Sequence, residues 1–199
     1  MRDTKPFCFA IYFMKGRDSM QIHQRVIPAI SSHKDLKLFL QSPLPFGILM
    51  NFQLAQLPDL VETMKSYHKK VLVHSELIKG LASDEFGAIY LIQTLKVDGI
   101  ISSKSKVIEV CKKRNVLGIF RFFLKDSISL EQSLEMARRC EADYYEILPA
   151  LSTQILPDIK KQLDKPIWMG GLIQSEEHVL ACYQAGASAV TTSNSTLWK

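Results

Sequence analysis

The sequence has few of the features that would announce a specialised chemistry. Cysteine is sparse and scattered: Cys8, Cys111, Cys140 and Cys182 form no C-x-x-C pair. That excludes a zinc knuckle or a dithiol redox centre and leaves reduced, buried thiols of a cytoplasmic protein as the expectation. The five histidines are equally dispersed, so no metal-ligand spacing is present and neither a metal nor a cofactor is expected. No apolar run approaches the roughly 20 residues that a membrane-spanning helix needs, and no membrane partner is expected. The run Phe7 to Met14 behind Arg2 and Lys5 is too short for a secretory signal, and Lys15-Gly16-Arg17-Asp18 lacks the small-residue cleavage pattern. Charge of one sign is not abundant: a net +5 with pI near 9.0 is compatible with an anionic partner but is weak evidence for nucleic acid. There is no aromatic RNP-like strand, GXXG loop or arginine-rich tail, so no recognisable RNA-binding module is visible. No low-complexity stretch or linker divides the chain.

What remains is an ordinary globular composition, 47% hydrophobic and 23% charged over 199 residues, enough for one domain with one core. From Arg25 onward, short apolar runs rich in Val, Ile, Leu and Phe alternate with helical patterns about every 20 to 25 residues. Strands are expected at Arg25 to Ile30, Gly47 to Asn51, Val71 to Ser75, Gly99 to Ser102, Leu117 to Phe123, Tyr144 to Leu148, Ile167 to Met169 and Ala189 to Thr192. Continuous apolar content indicates strands covered on both faces, as in parallel sheets. Ser127 and Ser175 read as helix N-caps and Gly186 as a left-handed helix terminus. Eight βα units predict a compact (β/α)8 TIM-type barrel with some outer helices shortened, notably after Asn194; an open doubly wound sheet shows the same alternation and is second. The barrel is expected over residues 20 to 199. Residues 1 to 19 read as an N-terminal extension, either disordered or upstream of the true start, with a packed extra strand as the competing reading.

Chemistry on such a barrel gathers where the strands end. Met169-Gly170-Gly171 and Thr192-Ser193-Asn194 stand at the ends of the last two strands, where free N–H groups and closely approaching backbone suit a phosphate. Gly170, Gly171, Thr192, Ser193 and Asn194 are therefore the candidate phosphate site. His74, Glu76, Arg121 and Glu146 sit at other strand ends and are candidates to hydrogen-bond a small polyol. Arg121 lies inside Phe120-Arg121-Phe122-Phe123 and must find an anion, either the ligand or Glu146, because an unpaired buried charge is costly. Thr191 reads as turned into the barrel or toward its helices and is left out of the site.

An enzymatic reading is weaker. Glu76 with Glu146 could act as acid and base, and Asp84-Glu85 could add a metal carboxylate, but neither forms a distinctive motif. A Schiff-base lysine belongs at a strand end facing the mouth, whereas Lys79, Lys104 and Lys125 fall in loops or helix starts. No catalytic residue is assigned. Lys104, Lys106, Lys112, Lys113 and Arg114 form basic clusters that could contact nucleic-acid phosphates, with solvated helix faces as the plainer reading.

Several motifs occur together in one register from about Val26 to Lys199. They are His74-Ser75-Glu76-Leu77-Ile78-Lys79-Gly80, Asp84-Glu85-Phe86-Gly87, Gly99-Ile100-Ile101-Ser102, Glu146-Ile147-Leu148-Pro149, Gly170-Gly171 and Val190-Thr191-Thr192-Ser193-Asn194 with Leu197-Trp198. The set resembles the glycerol uptake operon antiterminator regulatory protein family, in which an aspartate often replaces Glu76 and a glycine often replaces Ala150. The resemblance implies a regulator rather than an enzyme: a sensor of glycerol 3-phosphate that binds the leader mRNA of glycerol-utilisation operons and prevents a terminator hairpin. A phosphosugar isomerase or lyase on the same cradle is the alternative. The segment from Leu77 to Gly87 is the expected moving element.

Overall fold

The computed structural model describes residues 21–199; the extension expected over 1 to 19, with Cys8 and the run Phe7 to Met14, lies outside the described residues. The chain forms a closed barrel of eight parallel strands in sequence order. The strands are β1 (Val26–Ile30), β2 (Phe46–Leu49), β3 (Lys70–His74), β4 (Gly99–Ser102), β5 (Leu117–Phe123), β6 (Tyr144–Leu148), β7 (Ile167–Gly170) and β8 (Ala189–Thr192). Helices α1 (His33–Gln41), α2 (Leu57–Ser66), α3 (Glu85–Ile89), α4 (Ser105–Lys113), α5 (Ser127–Arg139), α6 (Leu156–Lys160) and α7 (Glu176–Gln184) follow the first seven strands. Shortening falls on α3, which continues as a π-helical turn over Tyr90–Thr94, on α6, and after β8, where only a 3₁₀ turn over Ser195–Leu197 remains.

Three local readings are corrected. Asn51 leaves the ladder because its backbone is left-handed (φ 63°), so β2 ends at Leu49. Ser75 opens a 3₁₀ turn rather than closing β3. The N-cap of α5 is Asp126, not Ser127: the Asp126 carboxylate accepts from Ser129 N–H at 2.7 Å while Ser129 Oγ accepts from Asp126 N–H at 3.0 Å. The Ser175 cap and the left-handed Gly186 (φ 103°) are as the sequence predicts.

Two apolar layers account for the architecture. One lies between strands and helices, filled by residues such as Ile30, Val73, Ile100, Phe120, Ile147 and Val190. The other fills the barrel itself with Ile27, Phe46, Ile48, Leu72, Ile101, Ile119, Tyr144, Trp168 and Ala189. Because side chains alternate along a strand, each interior residue has an inward neighbour two positions on, one layer nearer the C-terminal mouth. Leu72 is followed by His74, Ile119 by Arg121, Tyr144 by Glu146, Trp168 by Gly170 and Ala189 by Thr191. The base is closed by Ile22, whose N–H donates to Tyr144 Oη at 2.7 Å, and by buried Gln24, which exchanges hydrogen bonds with Phe46. The apolar base makes the polar mouth the face on which a small molecule can enter.

Candidate functional site

The mouth encloses a cavity of about 650 Å³, within the range of small-molecule sites. It is lined by His74, Arg121, Glu146, Thr191, Gly171, Leu172, Thr192, Ser193 and Asn194 together with apolar Ala29, Ile48, Met50, Ile101, Leu148 and Ile173. Seven of the nine predicted ligand residues thus converge; Glu76 and Gly170 stand just behind the lining.

The β7 and β8 loops make one half. Gly171 and Leu172 are consecutive left-handed residues (φ 77° and 61°); for leucine this conformation costs about 1–3 kcal/mol and marks a loop whose shape is imposed by its surroundings. The imposed shape is secured from the other loop. Thr192 Oγ1 donates to Ile173 O at 3.0 Å and accepts from Asn194 N–H, while Asn194 Nδ2 donates to Gln174 O at 2.9 Å. Asn194 Oδ1 accepts from Thr196 N–H and Thr196 Oγ1. The side chains of Thr192 and Asn194 are therefore committed to tying the two loops together. Gly171, Leu172 and Ser193 all line the cavity; the N–H groups of Leu172 and Ser193, and Ser193 Oγ, make no hydrogen bond among the described residues, whereas the Gly170–Thr191 register turns the Gly171 N–H toward Thr191 O. Gly170 serves differently from Gly171. A Cβ on Gly170 would lie 2.2 Å from Thr191 Oγ1 and 3.1 Å from Glu146 Oε1, so its bare backbone makes room for the contact between those two side chains.

The strands β3 to β6, joined by Thr191 of β8, supply the other half, a buried chain of charged and polar groups. Thr191 Oγ1 donates to Glu146 Oε1 at 2.6 Å, Arg121 Nε lies 3.4 Å from Glu146 Oε2, and Arg121 Nη1 donates to His74 Nε2. Since guanidinium only donates, His74 Nε2 is unprotonated and the ring proton belongs on Nδ1, which faces Glu76 Oε2 at 3.3 Å. Glu76 in turn accepts from Ser102 Oγ (2.6 Å) and Ser103 N–H (2.7 Å). Burial, then the Arg121 charge, hold His74 down to about 4, with Glu76 opposing them, so the ring is neutral at pH 7. Burial also pushes the Glu146 carboxyl up, against the pull of Arg121 and Thr191. Glu76 stays below the usual carboxylate range: burial would raise it, but the Ser102 hydroxyl, the Ser103 N–H and His74 outweigh that.

With His74 neutral, this chain sets one cation, Arg121, against two carboxylates, Glu76 and Glu146, and it is not hydrogen-bond-saturated. His74 Nδ1, Arg121 Nε and Glu146 Oε2 are buried without an aligned hydrogen-bond partner, although each lies within ion-pair reach of one. Buried polar atoms are almost always satisfied in folded proteins, and the residues carrying these three all line the cavity. The arrangement can bind and orient a small polar molecule. Among the described residues no lysine lines the cavity, and Lys79, Lys104 and Lys125 lie in the βα loops as predicted.

Thr191 is the cavity-lining polar residue that the sequence leaves out of the candidate site. Its period-two spacing from the interior Ala189 is the signal that places it in the mouth. Asp84 is an N-cap, accepting from Phe86 and Gly87 N–H, and no group of His, Cys, Asp or Glu able to hold a metal occurs among the described residues. The predicted basic residues separate. Lys104 and Lys106 stand at the mouth end of α4, while Lys112, Lys113 and Arg114 stand about 13 Å away at its other end, with Lys112 paired to Glu141 at 3.3 Å. No described helix is long and apolar enough to cross a membrane.

Comparison with known proteins gives a consistent picture. The profile of a family described as "Glycerol-3-phosphate responsive antiterminator" matches residues 26–198. A crystal structure of a glycerol uptake operon antiterminator regulatory protein from Listeria monocytogenes is 33% identical, covering 89% of this chain and 96% of that one, with a TM-score of 0.86. A glycerol uptake operon antiterminator-related protein from Thermotoga maritima is 23% identical over 89% of this chain and 99% of that one, with a TM-score of 0.74. A protein of Escherichia coli K12 called YgcP, described as uncharacterized, is 27% identical over 87% of this chain and 91% of its own length. A deoxyribose phosphate aldolase from Aeropyrum pernix, 14% identical with a TM-score of 0.66, shares the fold alone.

Proposed function

The chain belongs to the glycerol-3-phosphate responsive antiterminator family, and we propose that its barrel is the sensor of a cytoplasmic regulator that binds glycerol 3-phosphate and, so loaded, leader mRNA of glycerol-utilisation operons. The observation that carries the ligand assignment is the division of one cavity into two halves of different chemistry. Free N–H groups of Leu172 and Ser193, with the Ser193 hydroxyl and the close backbone approach at Gly171, suit a phosphate. The chain His74–Arg121–Glu146–Thr191 offers donors and acceptors in the alternation that vicinal hydroxyls need, and its three unaligned polar atoms gain partners when a polyol enters. Arg121, the one cation among the described residues that line the cavity, attracts the phosphate across it while remaining bonded to the hydroxyl-reading side.

Binding can regulate only if the ligand has different affinities for two states of the protein, about 1.4 kcal/mol for each tenfold of coupling. Leu77 to Gly87 is the proposed moving segment. It follows Glu76 directly, and Gly87 sits so close to Ala82 O that a Cβ there would lie 1.9 Å from it; this tight fold depends on a residue without a side chain. Calorimetry with glycerol 3-phosphate tests the reading: one site per chain is expected, with glycerol and inorganic phosphate each binding far more weakly. Absence of heat and of any thermal stabilisation by glycerol 3-phosphate overturns it. Turnover of a phosphorylated sugar without RNA would favour the isomerase or lyase alternative.

A further inference from the structure

The lysines of this barrel are used unequally at its two ends. At the base, Lys65 donates to Leu95 O and Lys96 O, Lys69 to Ser42 O and Leu44 O, and Lys160 to Gly186 O. Lys70 pairs with Asp98 and Lys112 with Glu141. These ammonium groups close helix ends and loops or sit in ion pairs, whereas Lys96, Lys113 and Arg114 at the same end are exposed without a side-chain bond among the described residues. At the mouth, Lys79, Lys104, Lys106 and Lys125 are exposed, and their side chains make no hydrogen bond or ion pair among the described residues. All four stand on the loops or first helical turns after β3, β4 and β5; Lys34, in the first turn of α1, is also exposed without a side-chain bond among the described residues. The acids of the same sector are mostly occupied: Asp84 and Asp126 cap helices, and Glu76 is turned onto Ser102 and Ser103, leaving Glu85. The opposite rim, over β7 and β8, differs. It carries Glu176 and Glu177, and its Lys199 lies 3.9 Å from Glu176.

The same sector exposes aromatic rings. Phe86 is 77% exposed at the start of α3 and Phe123 47% exposed at the end of β5. Exposed rings set among unpaired cations are the combination that grips single-stranded nucleic acid, bases stacking on rings and phosphates lying on lysines. A second copy of this chain would be the other occupant for an apolar rim, but a two-fold interface brings each patch onto itself, which would set these unpaired lysines against one another. Charge therefore selects the polyanion.

We propose that the rim over β3, β4 and β5 is the RNA-binding face, taking unpaired bases on Phe86 and Phe123 and backbone phosphates on Lys79, Lys104, Lys106 and Lys125. The proposal rests on the glycerol 3-phosphate and RNA reading above and gives it a location and a joint. Arg121 is that joint: its guanidinium carbon lies 5.1 Å from the centre of the Phe123 ring, while the same group bonds His74 and pairs with Glu146 inside the cavity. A ligand that draws Arg121 changes what lies beneath Phe123. From His74 the contact passes to Glu76 and to the Ser103 N–H, one residue before Lys104.

The test uses the full chain and a fluorescein-labelled single-stranded leader transcript from a glycerol-utilisation operon of its own genome, with a blunt duplex of equal length as comparison. Anisotropy is read with saturating glycerol 3-phosphate across a salt series. Phe86→Ala and Phe123→Ala should each weaken single-strand binding at least fivefold and duplex binding little. Lys104→Glu with Lys106→Glu should weaken both and lower the salt slope by about 1.4. Lys112→Glu with Lys113→Glu, at the other end of α4, should change affinity less than twofold. Rim variants that keep wild-type affinity and bind glycerol 3-phosphate normally by calorimetry overturn the proposal, as does loss of binding confined to the Lys112 and Lys113 variant. Concentration-dependent dimerisation abolished by Phe86→Ala, with RNA affinity unchanged, assigns the rim to a second copy and overturns it too. Wild-type protein that binds glycerol 3-phosphate but no RNA is a different failure, of the RNA reading itself.

Discussion

The two halves of the mouth are built on opposite principles. Over β7 and β8 the groups are neutral, the loop hydroxyls and amides are bonded to one another, and the free valences are backbone N–H groups fixed by a left-handed turn. Across β3 to β6 the groups are charged side chains, buried, coupled in a row and incompletely bonded. A phosphate of constant shape is served by a rigid receptor formed before the ligand arrives. A charged row with more than one acceptable pairing is the kind of element whose equilibrium a ligand can bias. The comparison teaches that affinity and response are separable here: the glycine half holds, and the arginine half reports.

The strongest way to break this division is to remove the arginine. Arg121→Met leaves Glu146 buried without its cation and should cost about 3–5 kcal/mol of stability, lowering Tm by roughly 10 °C or more in a domain of this size. Adding Glu146→Leu should restore much of that stability while glycerol 3-phosphate binding stays absent. Calorimetric unfolding of the single and double variants checks both; a double variant that binds the ligand normally would mean the charged half is only scaffold.

The next effect falls on the glycine half. Gly171→Val forces a β-branched residue into φ 77° against Leu148 and should cost about 1–3 kcal/mol while weakening glycerol 3-phosphate at least tenfold, with the fold retained by circular dichroism. Unchanged affinity would place the phosphate elsewhere. Within this half, committed and free hydroxyls should separate. Thr192→Val, which unties Ile173 and Asn194, should cost about 1–3 kcal/mol of stability. Ser193→Ala should leave Tm alone and weaken only the ligand. Equal Tm losses would contradict the assignment of roles.

The smallest effect near neutral pH is the proton on His74. With its pKa lowered to about 4, the unfolded chain binds the proton more readily than the folded one between pH 6.5 and 4. Stability is fully present above the unfolded value and is lost as pH falls through that window, by at most about 1.4 kcal/mol for each pH unit. Imidazole NMR should show a neutral Nδ1–H ring at pH 7, and Glu76→Gln should lower the His74 pKa further. A ring already cationic at pH 6 would contradict the chain as drawn.

Much of this organisation was legible in the sequence. Eight continuously apolar runs at regular spacing indicate strands covered on both sides, and the ends of such strands are where a barrel keeps its polar residues. Seven of the nine ligand candidates line the cavity for that reason. What was not legible involves pairs distant along the chain. Nothing near Glu146 announces Thr191, 45 residues later, and nothing near Gly170 shows that its missing side chain serves that contact rather than a phosphate. Glu76 reads like a mouth residue, yet the 3₁₀ turn beginning at Ser75 swings it outward onto Ser102 and Ser103. The two basic clusters of α4 read alike in the sequence, and only the helical rise shows that they stand at opposite ends of the barrel.

The central claim is that the ligand at the glycine half controls RNA binding through the charged half, and one titration tests it most directly. The affinity of the full chain for the single-stranded leader transcript is measured while glycerol 3-phosphate is raised from zero to saturation at constant salt. RNA affinity should rise at least tenfold, with its midpoint at the calorimetric Kd of glycerol 3-phosphate, and Gly171→Val should shift that midpoint upward. An RNA affinity that stays constant across the whole titration, in a protein shown by calorimetry to be saturated with ligand, would contradict the account.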